Sequence, residues 1–358
     1  MQAYNKAYHT IGLMSGTSLD GLDICYVKFK LSLENTWTFQ IAAAETVAYP
    51  DVWLQKLAFN ESLSSLQTLE LDKDLGQYFG KAVNTFLEKN NIEKSSIDFI
   101  ASHGHTLFHQ PDKGITLQIG NGQAIALQTG IKTVYDFRTA DVYNGGQGAP
   151  LVPIGDALLF SQYDACLNLG GFCNISLQHN DQRIAFDIGF CNLVLNRLAQ
   201  KLNLPFDENG NLASTGQLDN SLLQRLNNLA FYKAKAPKSL GAEWLSTEVM
   251  PLLNNVDPTT ALRTCTEHIA VQISAVLKEF DIKNVLLTGG GTHNRFLIER
   301  LKSLTNTQLI AGSNELINYK EALIFALLGT LRIENKINTL STVTGAKTNL
   351  CTGVIANP

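Results

Sequence analysis

An α/β protein of about two domains is what this chain predicts, on three observations. Strand-like apolar runs, helix-period segments and glycine-rich turns alternate from one end to the other, the pattern of sheets whose strands are joined through helices. The 358 residues exceed a single ordinary domain of roughly 100 to 200 residues. With 45% of residues apolar and only 17% charged, there is material for sizeable cores, which excludes disorder, a collagen-like repeat and a small disulfide-stapled scaffold.

Residues 10–29 read strand, turn, strand, the turn holding Ser15-Gly16-Thr17-Ser18 and Gly21. Next, Leu66, Leu69, Leu75, Phe79, Val83, Phe86 and Leu87 recur at approximately helical spacing until Asn90-Asn91 ends the pattern. Residues 99–102 predict a short strand that runs into a histidine-rich loop. Residues 165–177 repeat strand, turn, strand around Gly170-Gly171. Helical spacing returns over 192–202 and 265–280, and the second helix leads into a buried strand at 285–287 that stops at Gly289, Gly290 and Gly291. The run 322–328 is a core helix. The two glycine hairpins form a weak internal echo. Either the chain is a duplicated nucleotide-binding protein that touches a phosphate chain with a turn from each half, or glycine marks two ordinary hairpins.

The charge balance of 28 basic against 32 acidic residues, net −4, excludes a basic nucleic-acid coat. Six scattered cysteines with no C-x-x-C pair predict reduced thiols in a cytoplasm. The first ten residues lack the apolar stretch of a secretory signal, and no run approaches a membrane span. In that compartment the glycosylation patterns at Asn60 and Asn174 are chance matches.

Four segments carry candidate chemistry. In residues 12–23, Gly16, Thr17, Ser18, Leu19, Asp20, Gly21, Leu22 and Asp23 combine close backbone approach, amide and hydroxyl donors for phosphate oxygens, and carboxylates able to hold a hydrated Mg²⁺. A P-loop is excluded, because Gly76 to Lys81 is one residue short and continues to Ala82. Gly289, Gly290 and Gly291, followed by Asn294, suit either a flat seat for a purine or ribose or a tight strand-to-helix turn. They do not match a dinucleotide fingerprint. Asp187 leaves an apolar strand at a glycine turn before a helix, which suits a partly desolvated general base or an N-cap. His103, His105 and His109 invite a zinc reading. With Arg138, Asp141 and Gln147 downstream, they equally suit a grip on sugar hydroxyls, an amide or a carboxylate.

Residues 12–23, 102–111 (SHGHTLFHQP), 136–153, 168–176 (NLGGFCNIS), 187–192, 289–294 and 321–326 (EALIFA) resemble, in order and over nearly the whole chain, the anhydro-N-acetylmuramic acid kinases of the actin and sugar-kinase superfamily. The resemblance implies a two-lobed actin-like ATPase (ribonuclease H-like) fold of mixed sheets flanked by helices, with ATP in the interlobe cleft. Lobe I would hold residues 1–140, with 340–358 packing back onto it, and lobe II would hold 141–339. It further implies an enzyme using ATP and Mg²⁺ to add water across the 1,6-anhydro bridge and phosphorylate O6 of the sugar, in peptidoglycan recycling.

By the same resemblance Asp187 is the base and Asp20 orients the metal through water. Gly170 and Gly171 supply the second phosphate hairpin, and Gly289, Gly290, Gly291 and Asn294 the adenosine site. His103, Arg138, Asp141, Gln147, Asn192 and Glu321 fall to the sugar. No nucleic-acid or membrane partner is implied, and a homodimer is the assembly suggested.

The sequence departs from the family pattern in three places. Ile188-Gly189-Phe190-Cys191-Asn192 replaces T-G-P-G-N, His105 stands for a glutamine, and Leu240 and Ala242 replace the threonine and arginine of K-S-T-G-R-E. A bulkier turn after Asp187 would favour a kinase for another amino sugar or anhydrosugar. Loss of transfer chemistry would leave a non-catalytic nucleotide-binding regulator.

Overall fold

The first hairpin joins β1 (Tyr4–Ser15) to β2 (Leu22–Ser32), antiparallel, with Ser15 opposite Leu22. The computed structural model describes residues 4–16, 19–58 and 63–358. It divides into two compact units, Met1–Leu159 with Tyr319–Pro358, and Phe160–Asn318.

In the first unit β3 (Trp37–Val47) extends the meander beyond β2, and β4 (Phe99–Gln110) lies parallel to β1 on its other side. β5 (Ile115–Ile119) folds back antiparallel on β4. β6 (Thr133–Tyr135) runs parallel to β4. In the second unit β7 (Ala165–Leu169), β8 (Phe172–His179) and β9 (Gln182–Phe190) form an antiparallel meander. β10 (Asn284–Thr288) is parallel to β7, and β11 (Gln308–Ala311) is parallel to β10. β12 (Val354–Ala356) closes the far edge of the first sheet against β6.

Reading each sheet from the third strand of its meander gives the same sequence of neighbours and directions: β3-β2-β1-β4-β6 and β9-β8-β7-β10-β11. The echo of two glycine hairpins is therefore the first step of a repeated topology. Both units are mixed sheets with helices in the connections, the class the sequence predicts.

The core positions follow strand and helix periodicity. On central β1, Thr10, Ile11 and Leu13 are fully buried. The helix Ser65–Lys89 opens with a Ser64/Gln67 capping box and buries Leu71, Leu75, Phe79, Val83 and Phe86. Leu66 and Leu69, expected on that seam, are each 66% exposed, because the apolar face begins one turn later. The helix Pro258–Glu279 carries the second core, packing Leu262, Cys265, Ile269 and Ile273 with β7 and β10 residues.

The expected histidine loop is instead strand. β4 continues through His103, His105 and His109, because Gly104 at φ +78° absorbs the irregularity and β5 supplies a new partner strand. The helix Asn314–Ile333 leaves helical geometry at Tyr319, where the units divide. Its buried stretch belongs to the first unit, with Phe325 packing on His103 and Phe137. All six cysteines are free. Among the described residues no helix is long and apolar enough to cross a membrane.

Candidate active site

In the second unit the sheet brings several candidate residues together at the end of β7. The Gly170-Gly171 turn is tied to the start of the helix Asn192–Gln200. Gly170 O accepts from Asn192 N at 3.1 Å, and Gly171 O accepts from Cys191 N and Leu193 N at 2.9 and 3.1 Å. Asn192 Nδ2 donates to Leu169 O at 3.0 Å. The loop after β10 lies against the same turn so closely that a side-chain carbon on Gly289 would stand 2.6 Å from Asn168 Oδ1. On Gly290 such a carbon would meet nothing nearer than Asn192 Nδ2 at 3.9 Å. Gly290 therefore faces open space beside the Asn192 side chain, which suits a flat group. Asn294 caps the helix Arg295–Leu304, its Oδ1 accepting from Leu297 N.

Asp187 sits on β9 opposite Asn174, three residues from Phe190, the partner of Phe172 beside the turn, or roughly 10 Å along the strand. It is not an N-cap, since that position belongs to Cys191. Its amide donates to Lys238 O at 2.9 Å, and its Oδ2 accepts from Leu240 N at 2.8 Å. Burial raises its pKa above the usual carboxylate range, and the Leu240 N–H partly offsets that. Sequence reasoning missed this donor, because a main-chain N–H 53 residues away leaves no side-chain signature.

The glycine turn expected directly after Asp187 is instead strand, because β9 stays paired with β8 as far as Phe190, and the altered segment points inward. Ile188, Phe190 and Cys191 are at most 1% exposed, and Phe190 stacks on His268 with ring centroids 5.0 Å apart. The substitution of Leu240 likewise leaves its backbone donor in place.

In the first unit the β1–β2 turn carries the other candidates. Leu19 N donates to Gly16 O across the turn; Thr17 and Ser18 lie outside the described residues. At Gly21 a side-chain carbon would collide with Val47 O at 2.6 Å, so β3 requires glycine there. Leu22 is buried where β2 begins. Asp20 is exposed, whereas Asp23 is half-buried and accepts from the Thr46 hydroxyl at 2.6 Å. Burial raises the Asp23 pKa; the Thr46 bond opposes this, and Asp20 adds to it. At the root of the turn, Ser15 Oγ joins Tyr49 OH at 2.7 Å and His105 Nδ1 at 3.0 Å. Burial lowers the His105 pKa to about 4, so the ring is neutral near pH 7.

His103 and Arg138 form a second buried cluster. The His103 Nδ1–H donates to Gly104 O, which leaves Nε2 to accept from Arg138 Nε at 3.0 Å. Burial, then Arg138, holds His103 well below the usual imidazole range. Arg138 also donates to Gly148 O through Nη1. Its pKa falls to about 10 through burial, with Glu321 and Asp141 pulling upward, so the guanidinium keeps its charge.

Asp141 is fully buried, and both its oxygens are engaged, with Gly148 N and the Thr344 hydroxyl each at 2.8 Å. Gln147 is exposed on the loop that Asp141 closes. Glu321 is open to solvent yet set among protein atoms that raise its pKa, against the pull of Arg138.

The three histidines of β4 all have protein partners, His109 through Thr116. Among the described residues no group of three His, Cys, Asp or Glu side chains could hold a metal.

Residues 8–358 match the family model described as anhydro-N-acetylmuramic acid kinase. A protein of that name from Sulfurovum sp. (strain NBC37-1) is 35% identical over 358 residues, covering 96% of this chain and 97% of its own. The one from Vibrio cholerae serotype O1 is 36% identical, with 97% and 98% covered. Among solved structures, a ROK family glucokinase from Streptomyces griseus in complex with glucose and AMPPNP aligns at 11% identity and a TM-score of 0.40, covering 89% of this chain and 98% of that one. A family match over residues 8–358, with relatives 35% and 36% identical along nearly their whole length, makes this chain a member of the anhydro-N-acetylmuramic acid kinase family.

Proposed function

We propose that this protein is an ATP-dependent kinase that hydrolytically opens 1,6-anhydro-N-acetylmuramic acid and phosphorylates O6, giving N-acetylmuramate 6-phosphate, in peptidoglycan recycling in the cytoplasm. The observation that carries the reading is Asp187, a half-buried carboxylate with raised proton affinity and a single amide donor, on the strand beside the Gly170-Gly171 turn. In the bridged sugar O6 is an ether oxygen, so there is no hydroxyl for a kinase base to deprotonate. Asp187 instead takes a proton from water as the water oxygen bonds to the anomeric carbon and the C1–O6 bond breaks. The freed O6 then bonds to the transferred phosphoryl group, and ADP leaves. Bound ATP supplies that phosphoryl group, and Mg²⁺ offsets its charge.

The residues fit both groups. Mg²⁺ needs only one or two carboxylates when nucleotide and water complete its shell, which suits exposed Asp20 with Asp23 behind it. The open space at Gly290 and the amides around Gly170-Gly171 suit the nucleotide, with Gly291 and Asn294 shaping the adenosine end. On the sugar side, Arg138 Nη2 is assigned to the substrate carboxylate, and Glu321 and Gln147 to its polar groups. His103 and Asp141 hold Arg138 and the 145–148 loop in place, and Asn192 spans the hairpin and the glycine loop. The inward packing of Ile188, Phe190 and Cys191 supports the anhydrosugar over another substrate. A homodimer is the proposed assembly, which sedimentation checks.

The test is brief incubation with ATP, Mg²⁺ and the anhydrosugar in ¹⁸O-water, followed by mass spectrometry. One labelled oxygen at the anomeric carbon is expected. Phosphorylated product with no label there would overturn the reading.

A further inference from the structure

The segment 234–241 embraces Asp187 by its backbone. Lys238 O receives the Asp187 amide, and two residues later Leu240 N gives its proton to the carboxylate. Of the segment's side chains, Ala236 packs against the core of the unit. Behind the strand is a cavity of about 180 Å³, walled by Phe186, Ile188, Tyr232, Lys238, Val276 and Phe280. The Lys238 side chain gives the segment a further anchor, turning back so that Nζ donates to Phe231 O at 3.0 Å and stands 4.5 Å from the centroid of the Phe231 ring. That ring is itself wedged against Tyr232 and Trp244, with centroids 5.5 and 5.4 Å away.

We propose that Lys238 is a positioning residue for the reaction: by clasping Phe231 it holds the Leu240 N–H on the Asp187 carboxylate, and so sets the pH at which that carboxylate is ready to accept a proton. The inference rests on the reading of Asp187 as the base. Within its unit, the Cys173 thiol on β8 feels the Asp187 charge, Lys238 on the segment itself faces Glu279, and Lys233, Lys235 and Tyr232 line the same cavity. Burial keeps Cys173 and Tyr232 protonated, so neither titrates where the base works.

The sign follows from the bond. The Leu240 N–H favours the ionised carboxylate, so its loss raises the Asp187 pKa. The acid limb of kcat/KM in Lys238→Met should move up by about one pH unit. Lys238→Arg should restore it, since a guanidinium can both donate to Phe231 O and stack on the ring. Phe231→Leu, which keeps the carbonyl and removes the ring, should give an intermediate shift, and it serves if Lys238→Met does not fold. Asp187→Asn separates the two levels of the argument. If it is inactive while the Lys238→Met and Phe231→Leu acid limbs stay at the wild-type pH, the positioning role falls and the base stands. If Asp187→Asn turns over normally, both fall.

Discussion

Gly289 and Gly290 are neighbours with opposite expected responses to the same methyl group. At Gly289 the backbone is at φ 80°, ψ 157°, a region nearly closed to other residues at about 1–3 kcal/mol, and the new carbon would lie 2.6 Å from Asn168 Oδ1 and 2.8 Å from the Leu169 carbonyl. With overpacking of about 1–3 kcal/mol added, Gly289→Ala should lose roughly 2–6 kcal/mol of stability. Gly290 has no positive φ, and its new carbon would meet no atom within 3.8 Å, the nearest being Asn192 Nδ2 at 3.9 Å. Gly290→Ala should therefore keep its stability or gain up to about 1 kcal/mol from the stiffer unfolded chain. Its methyl would occupy the space assigned to adenosine, and loss of flat contact on the order of 1.4 kcal/mol raises the KM for ATP about tenfold. Denaturant unfolding without nucleotide, together with ATP saturation curves, reads both effects. A Gly290→Ala protein of unchanged stability and unchanged KM for ATP would refute the placement of adenosine on this loop.

Four other substitutions probe the described contacts. The His105 ring takes a proton near pH 6.5 when unfolded and only near 4 when folded, so the unfolded state binds more protons between those values and stability falls as pH drops through that window. His105→Gln should remove up to about 3 kcal/mol of that acid-side loss, seen as a flatter stability profile from pH 6.5 to 4. Asp141→Asn replaces a carboxylate that accepts from Gly148 N and Thr344 with a group offering one acceptor, which should cost about 2–3 kcal/mol in urea unfolding and leave Thr344→Val the milder change. Phe190→Leu should lose about 1 kcal/mol through its contact with His268 and leave the order of preference among sugars unaltered, as measured by comparing phosphorylation of the anhydro compound with that of N-acetylmuramate and N-acetylglucosamine.

Most elements were legible because their signals are local. The hairpins at Gly16 and Gly170, the helix ending near Asn90 and the strand before Gly289 each show in consecutive residues. Histidines on β4 misled, since a glycine between two polar rings looks like a loop until β5 is known to pair there. Leu66 and Leu69 fit a helical period without lying on its buried face. The repeated strand order was visible only as two glycine turns, because a topology can recur when its side chains do not. Among the candidate residues, residue types pointed to Asp187, Asp20 and the glycine loops, whereas the groups that contact them in each unit did not show. Leu240 acts through its amide, Lys238 through a clasp on Phe231, and Thr344 reaches Asp141 across 203 residues of chain. Only folding brings such partners together.

Replacing Asp187 with asparagine and measuring nucleotide affinity beside turnover puts the account to its hardest trial. Calorimetry should find ATP bound within a few-fold of the natural protein, while the rate of sugar phosphorylation falls by on the order of 10²- to 10⁴-fold, the usual contribution of a positioned base. Turnover within tenfold of the natural protein would contradict it.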